Sequence, residues 1–318
     1  MSERPLLIGR PPTSGTAKRT ARPDWIGADP AKIDRALEHA LAKPSGGWCV
    51  IDASRAFSRT PRPYTIEGHE LVGWRCRSGP ALAPESCPHM GAELSRGSVD
   101  GRGRIVCPWH GLALDPEGKR TDWTPRVTFD DGVLVWARFE SLLREGEAPT
   151  EKPILPVRPP RALDAVIRME GRCAPQDVIA NRLDPWHGAH FHGHSFARLS
   201  VLDEAIDHVT VRVVYRIAGR VGMEVDARFE CPDPRTIVMT IVSGEGVGSV
   251  VETHATPIAP GRTAIVEATL ATSERASVAW LPRATMLRPL IEARARKLWV
   301  DDVAYCERRY ALRQKSQA

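Results

Sequence analysis

The spacing of apolar and polar positions divides this chain into three stretches. In residues 1–45, a Pro-, Thr- and Arg-rich beginning leads into AKIDRALEHALAKP, whose apolar residues recur at helical spacing; Pro44-Ser45-Gly46-Gly47 ends the predicted helix. In residues 46–145 the period shortens to that of strands, with WCVIDA, YTIEG, ELVGWRC, RIVCPW and VLVWARF separated by Gly, Pro and Asp. Residues 141–160, rich in proline and charge, predict the connection to a last stretch, 146–318. There LDAVIRME reads as a strand and a helix is expected around 175–192. Alternation then marks strands in HVTVRVVYRIAG, EVDARFEC, RTIVMTIVSG, GSVVETHATPIA and RTAIVEATLAT. From about 280 a long helix is expected, which Pro289 starts or kinks. The sum is an α+β chain: a small antiparallel β domain, then a helix-grip-like domain whose antiparallel sheet wraps around the C-terminal helix and leaves a cavity between them. The first residues are open to two readings, an arm over a neighbouring subunit or a segment without fixed structure.

Composition narrows the class. At 318 residues the chain can bury a substantial core in two domains. The net charge of +5 comes from basic residues dispersed among carboxylates, with no basic block, so nucleic-acid binding is not expected. A mildly basic surface suits an acidic electron-transfer partner. The seven cysteines, at 49, 76, 87, 107, 173, 231 and 306, are scattered and imply no disulfide framework. No apolar run approaches the roughly 20 residues of a transmembrane helix, and the N-terminus has no apolar stretch of secretory type. A cytoplasmic location is the resulting expectation.

Two cysteine–histidine pairs carry the first candidate chemistry: Cys87-Pro88-His89 and Cys107-Pro108-Trp109-His110. Two thiolates and two imidazoles suit either a structural zinc or a Rieske [2Fe–2S] cluster, in which cysteines hold one iron and histidines the other. The order separates the two. Zinc fingers group their cysteines and then their histidines, whereas here each pair offers one sulfur and one nitrogen, so two loops can grip a cluster from both sides. Each pair is followed by glycine, at 91 and 111, where a tight loop needs a permissive backbone.

The run CPHMGAELSRGSVDGRGRIVCPWHGLAL resembles the Rieske loops of the aromatic-ring-hydroxylating oxygenases. Ala92 and Trp109 stand where cytochrome-complex Rieske proteins have their disulfide cysteines, which favours the oxygenase type. A second constellation, Asn181-Arg-Leu-Asp184-Pro-Trp-His187-Gly-Ala-His190-Phe-His192-Gly-His194, resembles the iron-binding run of the same family. The resemblance implies His187 and His192 as ligands of a mononuclear Fe(II) and a carboxylate from the C-terminal helix, Asp302 with Asp301 as the fallback, ahead of a trailing Glu307. Two histidines and a carboxylate form a facial triad that leaves positions for dioxygen. Asp184 is implied as the link between metal sites, hydrogen-bonded to an iron-binding histidine and to a cluster histidine of a neighbouring subunit. His190 and His194 fall outside the ligand pattern.

As a whole the resemblance implies the terminal oxygenase component of a Rieske non-haem iron system. The chain is short for such an α subunit, which suggests a homotrimer rather than an α/β hexamer, and it shows no dinucleotide-binding signature, so a separate ferredoxin or flavin reductase is expected to supply electrons. With O2 the component would hydroxylate, demethylate or desaturate an apolar or aromatic small molecule. Trp299, Tyr305 and the aliphatic residues of the strands are the expected cavity walls. The alternative from another class is a Rieske electron-transfer protein whose second domain is not catalytic.

Overall fold

The computed structural model describes residues 6–13, 27–117, 122–273 and 285–317. A short strand, β1 (Leu6–Ile8), lies parallel to Val221–Met223 of the same chain, and just after it the Arg10 N–H donates to Glu245 Oε2 at 3.2 Å. This part of the N-terminal stretch therefore has fixed structure: it adds a strand to its own sheet. Helix α1 (Pro30–Leu41) starts where Asp29 caps the Ala31 N–H and Pro30 fixes the first turn. It buries Ile33, Leu37 and Ala40, one stripe at helical spacing.

The next stretch forms three small antiparallel sheets. Strand β2 (Trp48–Ala53) belongs to the first; β3 (Arg62–Ile66), β4 (His69–Arg75) and β5 (Pro80–Pro84) form the second. Strands β6 (Ser98–Val99), β7 (Ile105–Val106) and β8 (Ala113–Leu114) form the third, while β9 (Thr128–Asp130) and β10 (Leu134–Arg138) complete the first in the order β2-β10-β9. Trp74, Trp123, Leu94, Ile105 and Leu114 pack together with Cys87 and Cys107, so the cysteine loops rest on a rigid apolar floor.

Strand β11 (Leu163–Gly171) opens the second domain, followed by α2 (Pro175–Arg182) and α3 (Gly188–Phe191). The single helix expected over 175–192 is thus broken. Pro185 lacks an N–H and disfavours helical backbone before it; Asp184 leaves the helix, and a 3-10 turn over Pro185–His187 intervenes. Then come β12 (Phe196–Glu204), which the sequence pattern did not announce, β13 (His208–Ala218), β14 (Val221–Asp233), β15 (Thr236–Gly244), β16 (Val250–Ala259) and β17 (Arg262–Ala271). The sheet runs β11-β17-β16-β15-β14-β13-β12, with antiparallel neighbours along that path. Helix α4 (Arg288–Gln317) lies against it, with Pro289 in its first turn, so the proline starts the helix. The expected helical residues 280–284 lie outside the described ones. The α+β class and the sheet-and-helix design are as the sequence predicts.

The two halves interlock. At the β3–β4 hairpin, Glu67 and Gly68 take positive φ, 52° and 75°, as a two-residue hairpin requires. Their N–H groups donate to the carbonyls of Pro257 and Ile258 on β16, at 3.0 and 2.7 Å. Among the described residues no helix is long and apolar enough to cross a membrane.

Candidate metal centres and the adjoining cavity

The two cysteine loops are near copies of one another. The Cys87 N–H donates to the Ala92 carbonyl and the Gly91 N–H returns to that of Cys87; Cys107, Leu112 and Gly111 repeat the pattern at 2.8–3.1 Å overall. Closing each loop puts Gly91 and Gly111 at φ of 76° and 69°, a region that costs a side-chain-bearing residue strain. Cys87 and Cys107 are buried, whereas His89 and His110 are exposed, their ring centroids 4.7 Å apart. All four expected cluster residues meet at one end of the small domain. Burial raises the Cys87 thiol against the pull of the His89 N–H. At Cys107 the N–H groups of Trp109 and His110 overcome burial and lower it. Backbone donors aimed at sulfur suit thiolate ligands, and this donor set fits a Rieske cluster. Met90 and Trp109, 64% and 62% exposed, flank the histidines and give that end an apolar rim.

The second centre draws on three elements. His187 ends the turn after Pro185, His192 follows α3, and Asp302 projects from the buried face of α4. Nε2 of His192 and Nε2 of His187 approach Asp302 Oδ1 at 2.9 and 3.3 Å. The Asn181 amide, on α2, donates to the same oxygen at 3.0 Å. Asp302 Oδ2 is buried with no hydrogen-bond partner. An ionised oxygen left bare in the interior is costly unless a cation meets it. Burial tends to raise the Asp302 carboxyl, but His187 and His192 outweigh it and hold it well below the usual range. Burial likewise opposes charge on His187, yet Asp184 and Asp302 push its pKa up to about 9. The pocket thus favours positive charge, and its two imidazoles and carboxylate fit a mononuclear iron.

The other expected residues fall around this centre. Asp184 Oδ2 lies 3.7 Å from His187 Nδ1, too far for a hydrogen bond, and accepts from the Tyr305 hydroxyl at 3.3 Å. Asp301, the fallback, faces outward, 3.5 Å from His192 Nδ1 and 3.9 Å from His194 Nδ1. Glu307 is away from the triad and accepts the Arg172 N–H at 2.9 Å. His190 is exposed.

A cavity of about 880 Å³ opens beside this centre, between the sheet and α4. Phe196, Leu199, Val213, Met239, Val251 and Leu298 give it an apolar wall. Trp299 and Tyr305 do not line it, contrary to expectation. Both lie on faces of α4 turned elsewhere: Trp299 is wholly buried with its indole N–H on Glu267, and Tyr305 is held on Asp184. Sequence reasoning missed two residues here, Arg182 and Glu267, which line the cavity as a buried ion pair at 3.3 Å. The usable signal for Glu267 was a lone carboxylate in the otherwise uncharged run TAIVEATLA.

Residues 47–130 match the family described as Rieske [2Fe-2S] domain, and residues 144–317 match the one described as domain of unknown function (DUF5914). The oxygenase component of 3-ketosteroid-9-alpha-monooxygenase from Rhodococcus rhodochrous is 35% identical over 79 residues, 24% of this chain and 20% of that protein. Cholesterol 7-desaturase nvd 1 from Ciona intestinalis is 25% identical over 121 residues, 33% of this chain and 26% of that protein. The matched segments thus span about a quarter or less of these curated relatives. Among solved structures, dicamba monooxygenase bound to dicamba superposes with a TM-score of 0.60 at 17% identity, covering 86% of this chain and 89% of that one. NdmA from Pseudomonas putida CBB5 gives a TM-score of 0.53 at 15% identity, over 82% and 83% of the two chains. At such identities the likeness is one of fold.

Proposed function

The chain belongs to the family described as domain of unknown function (DUF5914) and carries a Rieske [2Fe-2S] domain at residues 47–130, and from that premise we propose that it is a Rieske non-haem iron oxygenase, the terminal component of a two-metal system. Cys87, His89, Cys107 and His110 would hold the [2Fe–2S] cluster, and His187, His192 and Asp302 the iron. The observation that carries the reading is Asp302: one oxygen gathers two histidines and an amide while the other is buried and bare beside a large apolar cavity. When bound, the cluster supplies single electrons and the iron supplies activation of dioxygen toward hydroxylation, demethylation or desaturation.

The protein's own residues set the conditions. The Asn181 amide fixes the Asp302 carboxylate. Tyr305, whose hydroxyl is kept protonated by burial and by Asp184, orients Asp184 against His187. The largely apolar wall suits an apolar or aromatic substrate. The exposed His89 and His110, rimmed by Met90 and Trp109, suit contact with an electron donor, a ferredoxin or a flavin reductase. In a homotrimer the same end would meet the region of Asp184 on a neighbour. Metal content of two variants tests the division. Cys87→Ser should lose the cluster's visible absorption. His187→Ala should lose mononuclear iron and substrate-dependent oxygen uptake with that absorption intact. Retention of the uptake in His187→Ala would refute the assignment.

A further inference from the structure

We propose that Arg182 and Glu267 form a donor–acceptor clamp that binds a neutral hydroxyl group on a large apolar substrate, at the end of the cavity beside the His187–His192–Asp302 centre. The use of the cavity rests on the oxygenase reading; the chemistry of the clamp rests on the pair itself.

The cavity, at about 880 Å³, is near the upper end of small-molecule sites, and its wall is mainly apolar. Into that wall are set two mostly buried charged groups, with side-chain exposures of 15% for Arg182 and 6% for Glu267. Removing two charges from water costs more than their attraction returns unless their remaining donors and acceptors are filled. They are not filled. All three hydrogen bonds to Glu267 end on Oε2: from Trp299 Nε1 at 2.7 Å, Thr253 Oγ1 at 3.3 Å and Arg182 at 3.3 Å. Oε1 accepts none from a described residue. Arg182 uses one guanidinium donor on Glu267, and its Nε is buried without a partner. Its guanidinium carbon sits 5.5 Å from the Trp299 ring centroid, so the group is held in place rather than free to swing into solvent.

Spare donors beside one spare acceptor select a particular partner. A hydroxyl accepts from Arg182 and donates to Glu267 Oε1, filling one of each. A carboxylate only accepts and would lie against the Glu267 charge; a hydrocarbon fills neither. Arg294 and Lys297 also line the cavity, but they are exposed, and screened charges discriminate far less than a buried pair. Position adds the last element. Arg182 follows Asn181, whose amide holds Asp302 at 3.0 Å, so a group bound here is anchored beside the metal-binding residues.

The test is competition of 1-dodecanol, dodecane and dodecanoate against Nile red bound to the metal-loaded protein, with iron and sulfide measured on the same sample. 1-Dodecanol should bind about tenfold more tightly than either of the others, the worth of one donor–acceptor pair. Arg182→Leu should bring it level with dodecane. Glu267→Gln, which removes the counter-charge and keeps the shape, should turn the preference to dodecanoate by about tenfold. Each variant is compared with its own dodecane affinity, so a general loss of fold does not imitate a loss of selectivity. Wild-type protein that binds alcohol and alkane alike, or that prefers dodecanoate, overturns the clamp. A low iron count speaks against the oxygenase reading instead and leaves the wild-type ratios to judge the clamp.

Discussion

Asp184 shows how much one carboxylate can be asked to do. Its Oδ2 takes the Tyr305 hydroxyl and lies 3.7 Å from His187 Nδ1, while its Oδ1 is buried with no partner in the isolated chain. Asp184→Asn keeps the size and the Tyr305 contact but removes the charge that biases the His187 ring. Both metals should stay bound while electron transfer between them, followed by stopped-flow absorption of the reduced cluster, slows by at least about a hundredfold, a strong effect for a residue that orients a ligand. Transfer at the wild-type rate would exclude the linking role. Residues 181–192 show why this part of the site was legible: Asn181, Asp184, His187 and His192 fall in one run, where spacing carries the signal. Asp302, far along the chain, was reached through resemblance alone. Arg182 and Glu267 were missed because a charged residue in a helix or strand reads as solvated until the fold buries it.

At the scale of elements, the triad depends on how α2 is fixed to α4. Asp177, wholly buried near the start of α2, accepts from the Ala174 N–H at 3.0 Å and from Arg313 Nε and Nη2 on α4 at 3.0 and 2.7 Å. That tie sets Asn181 at the far end of α2 against Asp302. Asp177→Ala removes the buried acceptor of a partly exposed Arg313 and should cost about 1–3 kcal/mol. The thermal midpoint should fall and mononuclear iron should be lost first, because the cluster loops rest on a separate core. Equal loss of cluster and iron would contradict this division. Both helices were foreseen, and of the two roles open to Pro289, starting the last helix or kinking it, the first is the one observed. The break at Pro185 was not foreseen, although the proline that causes it is plain in the sequence. Strand β12 escaped notice because FARLSVLDE, half-exposed along most of its length, lacks clean alternation.

Across the whole molecule, Arg158 joins the two halves. It pairs with Asp131 at 2.9 Å and with Glu252 at 2.7 Å, and both carboxylates are almost wholly buried. Burial raises each carboxyl, but Arg158 outweighs it and both are held below their ordinary values. Carboxylates depressed in the folded state bind fewer protons there than in the unfolded chain. Their stabilisation is complete above the unfolded value near about 4 and is lost as pH falls through the depressed one. Arg158→Met should therefore lower the urea midpoint at neutral pH and flatten its decline in acid; an unchanged acid slope would mean that this trio is not what couples the halves. Such contacts between distant segments leave no local pattern, so the interlocking of the domains was invisible in the sequence even though each domain's class was not. The account as a whole turns on two metal centres in one chain. The most direct measurement is iron and acid-labile sulfide per chain on anaerobically purified protein, with an electron paramagnetic resonance spectrum after dithionite. About three irons to two sulfides with a Rieske-type signal is the expected result; about two irons to two sulfides on fully loaded protein would contradict it and leave an electron carrier with an idle second domain.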